Sequence, residues 1–283
     1  MSFNDKPIPA QAGVGLKPQH YDSIIDAQPQ VAWFEIHPEN YFAKGGLSHR
    51  ALSRIREDYP LSMHGVGMSL GSEDGLDKNH LTQIKSLLDR YHPALFSEHL
   101  SWPRYQQYYS NDLLPIPYTN EALAVFKDNV NTAQDMLNRQ ILIENPSSYF
   151  MLQNNDYTEW DFLVTLCRQT GAGILLDINN IYVSAINHGF NAQQYIESIP
   201  AELVGEIHLA GHAEEEHSFG QLLIDDHGSE VKDTVWELYT QVIESIGPRP
   251  TLIEWDTNIP DWEILIQEAR QAELILQNEV SVA

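Results

Sequence analysis

The sequence predicts an α/β chain of 283 residues folded as a single-domain (β/α)8 TIM barrel over residues 1–283. Three observations predict it: eight short apolar runs recur along the chain, amphipathic stretches lie between them, and no linker, repeat or low-complexity segment divides it. Strands alternating with helices imply parallel βαβ units, and eight such units imply a closed barrel. A doubly wound open sheet is the rival arrangement.

The runs, in order, are "AGVGLK" from Ala12, "VAWFEIH" from Val31, "PLSMHGVG" from Pro60 and "LFSEHLSW" from Leu95. "QILIENPSS" from Gln140, "GILLDINN" from Gly173, "GEIHLAGH" from Gly205 and "PTLIEWD" from Pro250 complete the series. An unbroken stretch such as Ile174-Leu175-Leu176 is expected of a strand covered on both faces. Between the runs, "LSHRALSRIRED" places Leu47, Leu52 and Ile55 at helical spacing. "TNEALAVFKDNVNTAQDMLNR" opens with Thr119 as an N-cap and Glu121 in its first turn. "IPDWEILIQEARQAELIL" has Pro260 near the first helical position. Two insertions, near 103–118 and 213–229, follow the fourth and seventh strands and fall on the C-terminal face, where barrels build their sites. The first, rich in Tyr and Pro, is either an ordinary ordered loop or a lid or docking surface.

Composition narrows the function. A formal net charge of -24 repels phosphate backbones, so no nucleic-acid partner is expected; for most of the acidic excess, solubility is explanation enough. No apolar run approaches the length of a membrane span, so no membrane partner is expected either. The N-terminal "MSFNDKPIPAQAG" lacks the pattern of a signal peptide. A single cysteine excludes an internal disulfide, and together these point to the cytoplasm. Cys167 itself, in "DFLVTLCRQ", reads as a small buried hydrophobe.

The strand ends carry the chemistry. The sixth run passes from Leu176 straight into Asp177, Asn179 and Asn180, groups that cost several kcal/mol to bury unpaired. Comparable groups end the other late strands: His64, Glu98-His99, Glu144-Asn145, His208 with His212, and Glu254 with Asp256. "DDHG" adds an Asp-x-His pair, Asp225 and His227, with Asp226 pointing elsewhere. Carboxylates crowded on one rim repel and shift each other's pKa, and a mixture of His, Glu, Asp and Asn suits cations of the iron, manganese or zinc type. Taken singly, a strand-end His is commonly a hydrogen-bonded core residue, Asn179 and Asn180 can shape a turn or cap a helix, and Asp256 can cap one too. His20, His49, His80 and His92 fall in helix or turn segments and read as surface residues. No serine elbow, Walker loop or dinucleotide fingerprint is present.

The strings "HGVGMSLGS", "SEHLSW", "ILIENPSSY", "LLDINNIYVSAINHGF", "EIHLAGH", "IDDHGSEV" and "LIEWD" resemble the multinuclear non-haem iron-dependent oxidases, across roughly Gly13 to Arg270. That bacterial family includes the oxidase of methanobactin biosynthesis and modifies cysteines of ribosomally made peptides. The resemblance implies two or three iron ions, mixed Fe2+/Fe3+, at the C-terminal mouth, with O2 as co-substrate. It implies His64, His99, Glu144, Asp177, Asn180, His208, Asp225, His227 and Glu254 as ligands, Glu144 bridging two ions, and Glu144, Asp177 and His227 as the catalytic group. His212, Asp256 and His188 are implied as groups that orient ligands. One ferrous ion would take O2, a ferric neighbour would hold the substrate thiolate, and hydrogen would leave the cysteine β-carbon. The implied partners are a cysteine-containing precursor peptide and a small leader-binding protein, for which 103–118 is a candidate surface. Losing Asp177 is expected to leave the metal-free protein no less stable, since one repelling acid goes. The rivals are a metal-dependent sugar isomerase, an endonuclease of related His/Glu/Asp pattern, and a non-catalytic metal-binding subunit. An isomerase wants a lysine or a His-Asp pair near its sugar; the lysine after the first run, Lys17, is read as starting a helix.

Overall fold

The computed structural model describes residues 7–110, 112–218 and 220–280, with side chains through 277. Its strands are β1 (Ala12–Gly15), β2 (Phe34–Ile36), β3 (Leu61–Gly65), β4 (Leu95–His99), β5 (Arg104–Tyr105) and β6 (Tyr108–Tyr109). Then follow β7 (Leu142–Glu144), β8 (Gly173–Asp177), β9 (Val204–Leu209), β10 (Ala213–His217), β11 (Gly220–Ile224) and β12 (Thr251–Ile253). The order β1-β12-β9-β8-β7-β4-β3-β2 is a closed parallel barrel, sealed where β1 pairs with both β12 and β2. Every barrel strand falls within one of the eight predicted runs or, for β9, begins one residue before it. The open-sheet rival is excluded by that closure.

The helices are α1 (Tyr21–Ala27), α2 (Leu47–Asp58), α3 (Lys78–Tyr91), α4 (Asn120–Leu137), α5 (Glu159–Thr170), α6 (Ile178–His188), α7 (Ala192–Glu197), α8 (Asp233–Ile246) and α9 (Trp262–Val280). Their starts are chemical. Asp77, Thr119, Thr158, Asp177 and Asn191 each accept first-turn backbone N–H groups that have no partner inside the helix. Several stops are conformational, with His92, Asn138, Gly171 and Gly189 turning the chain left-handed. Two expectations shift: Leu47 is 75% exposed while Leu52 and Ile55 are buried, and Pro260 lies two residues ahead of α9, whose first residue is Trp262.

Period-two alternation decides what faces the barrel interior. Phe34, Ile36, Leu61 and Met63 join the large buried apolar cluster to which the helices contribute. The intervening Ser62 points inward, since its hydroxyl reaches Glu206 of β9, a strand that does not pair with β3. Extending that inward column by one step brings His64 to the C-terminal rim.

Each insertion contains an antiparallel hairpin where loops were expected: β5 with β6 in 103–118, and β10 with β11 in 213–229. Asn111 and Phe219, within them, and residues 1–6, within the N-terminal expectation, lie outside the described residues. Among the described residues no helix is long and apolar enough to cross a membrane.

Candidate metal centre

The strand ends meet at one rim. From β3, β4 and β7 come His64, His99 and Glu144. His64 Nε2 and His99 Nε2 lie 3.1 and 3.0 Å from Glu144 Oε2 and 3.3 Å from each other. Their other nitrogens are engaged outward, His64 Nδ1 with Ser97 Oγ at 2.8 Å and His99 Nδ1 with the Gly65 carbonyl at 3.2 Å. The Gly65 carbonyl can only accept, so His99 Nδ1 donates and Nε2 is left as a lone pair aimed inward; Ser97 Oγ, able to accept, permits the same tautomer at His64. Two lone pairs and a carboxylate oxygen this close need a proton or a cation between them.

A second set adjoins the first. Ligand atoms of Glu144, Asp177, His208 and Glu254 lie within 4.8 Å of one another, all four side chains buried. His208 Nδ1 is 3.0 Å from Glu254 Oε2 and 3.9 Å from Glu144 Oε1, so the two oxygens of Glu144 serve different sets. Glu254 is shared as well: its Oε1 is 3.6 Å from His227 Nδ1. His227 Nε2 in turn is 2.7 Å from Asp225 Oδ1, which makes the Asp-x-His pair real. This pair borders the second set without closing a third group of ligand atoms among the described residues.

Asp177 does two things. Its Oδ1 accepts the Asn180 N–H at 2.6 Å and caps α6, while its Oδ2 is buried with no hydrogen-bond partner. Asn180 Oδ1 is likewise buried and unpartnered, and Glu144 Oε2 is buried without a hydrogen bond, faced only by the His64 and His99 imidazoles. Native proteins rarely leave such atoms alone. Three orphaned oxygens of metal-competent type in one place fit a cation cluster.

Protonation tells the same story. Burial opposes charge on Glu144, but His99, His64 and His208 outweigh it and bring its carboxyl down to about 2. Burial lowers His99, yet Glu144 and Glu98 lift its imidazole to about 9. Against the same effect of burial, Glu35 and Glu254 raise His208 well above its ordinary value, and Asp225 and Glu254 do so for His227. Burial, then Glu144 and Asp225, push the Asp177 carboxyl well above the usual range. Protons here occupy places that cations suit.

His64, His99, Glu144, Asn180, Asp225, His227 and Glu254 line a cavity of about 600 Å3, with Asp177 and His208 fully buried. Phe42, Val66, Pro103, Tyr109 and Leu113 give its walls an apolar side. Asn179 Nδ2 donates to Asp225 Oδ1 at 2.7 Å, and His212 Nδ1 lies 2.8 Å from Asn179 Oδ1. Asp256 takes Lys17 Nζ and sits 3.5 Å from His37 Nε2. Lys17 caps a short 3-10 turn as expected, but its ammonium reaches the rim.

Several expectations need correction. His188 bonds Ser148 Oγ at 3.0 Å and lines a different cavity, because α6 carries it away from the rim. His20 and His49 are buried: His20 Nε2 lies 3.0 Å from the Pro260 carbonyl, and His49 is held by Tyr91 Oη and the Ala43 carbonyl, both at 2.6 Å. His80 is partly buried against Glu39 at the cavity edge, whereas His92 is exposed as expected. Cys167 is buried as expected, and burial pushes its thiol up to about 12.

Sequence reasoning also missed two inward acids, Glu35 and Glu206, which lie with His208 in a third buried group. The signal was available: "VAWFEIH" and "GEIHLAGH" each hold one acid amid apolar neighbours.

Residues 11–277 match the family described as RiPP precursor modification enzyme MbnB/TglH/ChrH. The chain is 47% identical over 281 residues to a UPF0276 protein of Rhizobium meliloti (strain 1021), covering 99% of this chain and 91% of that protein. It is 48% identical over 264 residues to a UPF0276 protein of Vibrio parahaemolyticus serotype O3:K6 (strain RIMD 2210633), covering 93% and 92%. Among solved structures, a xylose isomerase-like TIM barrel protein from Mycobacterium smegmatis in complex with magnesium aligns with a TM-score of 0.60 at 10% identity, over 96% of this chain and 97% of that one. D-psicose 3-epimerase with D-tagatose from Clostridium cellulolyticum H10 aligns with a TM-score of 0.59 at 10% identity, over 96% and 99%. At such identities the likeness shows the fold alone.

Proposed function

We propose, for a chain that belongs to the MbnB/TglH/ChrH family of RiPP precursor modification enzymes, an iron- and O2-dependent oxidation of a cysteine in a ribosomally made precursor peptide. The observation that carries this reading is the pair of donor sets joined through Glu144. His64, His99 and Glu144 would hold one ion; Glu144, Asp177, His208 and Glu254 would hold its neighbour. Asp225 and His227, with the free Oδ1 of Asn180, serve a third where one is bound. Iron, when bound, supplies one-electron redox chemistry, with O2 reduced as the cysteine is oxidised.

The chain's own residues do the rest. Glu144, whose two oxygens face different donor sets, would share its negative charge between the ions held there. Asp177 turns its uncapped oxygen into the second set from a rigid helix start. His227, paired on Asp225, closes the outer edge beside the cavity. The apolar walls at Phe42, Val66, Tyr109 and Leu113 receive the peptide around its cysteine and exclude water from it. The exposed Tyr105 and Tyr108 of the 103–118 hairpin offer the surface for the small leader-binding partner.

The test is anaerobic iron reconstitution followed by O2 and a cysteine-bearing precursor peptide. The expected result is a peptide mass loss coupled to oxygen uptake, both abolished when that cysteine is serine. Turnover of the serine peptide at a comparable rate would remove the thiolate from the reaction. Absence of peptide-dependent oxygen uptake would favour a non-catalytic subunit.

A further inference from the structure

Beneath the rim, the barrel interior holds two carboxylic acids that the proposed reaction does not use. Glu35 of β2 and Glu206 of β9 are both buried, and each has an oxygen without a partner. Ser62 Oγ donates to Glu206 Oε2 at 3.2 Å. Among the described residues, the ion pair of Glu35 is with His208: Nε2 lies 3.3 Å from Glu35 Oε1 but makes no hydrogen bond, so this nitrogen too is buried without a hydrogen-bond partner, and Glu35 is the carboxylate beside it. The His208 ring therefore stands between two layers, Nδ1 toward Glu254 and Glu144 and Nε2 toward Glu35.

We propose that Glu35 is a positioning residue for His208: it accepts the Nε2–H and thereby fixes Nδ1 as the lone pair offered to the second donor set. This rests on the metal reading of that set. An imidazole that gives one nitrogen to a cation keeps its proton on the other, and that N–H in a dry interior needs an acceptor. Glu35 Oε1 is within reach across the barrel. The carboxylate–imidazole–cation line that results raises the basicity of Nδ1 and stops the ring from turning. Glu206 lies within 4.8 Å of both Glu35 and His208, but its Oε2 is taken by Ser62 and among the described residues no ion pair joins it to the ring, so it is a neighbour with no such duty.

Anaerobic Co2+ titration, read by visible absorption and by the hyperfine-shifted exchangeable N–H resonances of bound histidines, tests this without O2 or peptide. Glu35→Leu should weaken the second-set ion by about 10–100-fold, the usual cost of losing a ligand's outer partner. It should also lose one exchangeable resonance, while the His64/His99 ion stays. Glu35→Gln, whose amide oxygen still accepts the N–H, should recover most of the affinity and move that resonance. Glu206→Gln should change neither. Wild-type affinity in Glu35→Leu, or an unmoved resonance in a folded Glu35→Gln, overturns the proposal. Loss of one full equivalent in both Glu35→Gln and Glu206→Gln overturns it too, because the acids would then hold an ion of their own. A wild-type protein that takes up no Co2+ fails the metal reading itself, an outcome distinct from all of these.

Discussion

The two donor sets share Glu144 and differ in everything else. One brings two imidazoles and a single carboxylate, His64, His99 and Glu144; the other brings one imidazole and three carboxylates, His208 with Glu144, Asp177 and Glu254. Anionic oxygen donors favour the harder, more highly charged ion, and imidazoles suit a divalent one. The difference teaches how one rim could hold neighbouring ions in unlike states, since the protein grades the negative charge on either side of a single shared side chain. Both sets are buried, so the contrast is little screened by solvent.

Glu144→Ala removes the element common to both and carries the largest expected effect. Metal analysis after anaerobic reconstitution should show both ions weakened by well over about 100-fold, since even losing a ligand's outer partner costs that order. Full retention of either ion would show that the sets are independent. Asp177→Ala should strip the second set and spare the first. It also removes the α6 cap, which costs about 1 kcal/mol. That cap weighs against the expectation that losing this acid leaves the metal-free protein no less stable, and the Tm of metal-free Asp177→Ala decides between them. Burial, then Glu144 and Asp225, push this carboxyl well above the usual range, and the cap lost with it is a hydrogen bond at 2.6 Å. Asp177→Asn keeps a capping oxygen and should lose the ion without the drop in Tm.

How much of this was legible follows from where each signal sits. Strands buried on both faces announce themselves by short, mostly apolar runs that recur between amphipathic stretches, so every barrel strand was found. The rim residues were equally visible, because a polar group ending such a run has few structural excuses. The hairpins were not: "AEEEH" is acidic at every inner position, and its pairing with "GQLLI" is set by register rather than by hydrophobic alternation. Glu35 and Glu206 were hidden by their setting inside strands, where an acid looks like an outward residue until closure turns it inward. His188 misled because proximity to "DINN" in sequence becomes distance once α6 has made its turns.

The gradation should also appear in pH. A cation needs neutral imidazoles, while His99 is lifted to about 9 and His208 and His227 stand well above their ordinary values. Ion affinity at the histidine-rich set should therefore rise with pH up to about 9, by about tenfold per unit for each proton displaced. For stability without metal the sign reverses. A raised folded-state pKa stabilises fully below the ordinary value of 6.5 and ceases to do so as pH climbs through about 9. Tm should fall over that window without metal and hold or rise with it. A flat affinity profile would mean that the imidazoles are already neutral.

The smallest effect belongs to the outer edge. Asn179 is buried on α6 and links His212 to Asp225, with contacts of 2.8 and 2.7 Å. Neither contact reaches the two inner sets. Asn179→Ala should leave the two inner ions at wild-type stoichiometry and cost about 1 kcal/mol of stability, the usual net worth of a buried hydrogen bond. With Asp225 released, the His227 pair loses its fixed partner, so any third ion should weaken by up to about tenfold, at the low end of what outer partners contribute. Elemental analysis resolved by stepwise chelation separates the outcomes. If the carboxylate-rich ion left together with the outer one, Glu254, which touches both His208 and His227, would be coupling them. The boundary between graded regions would then lie at Glu144 alone.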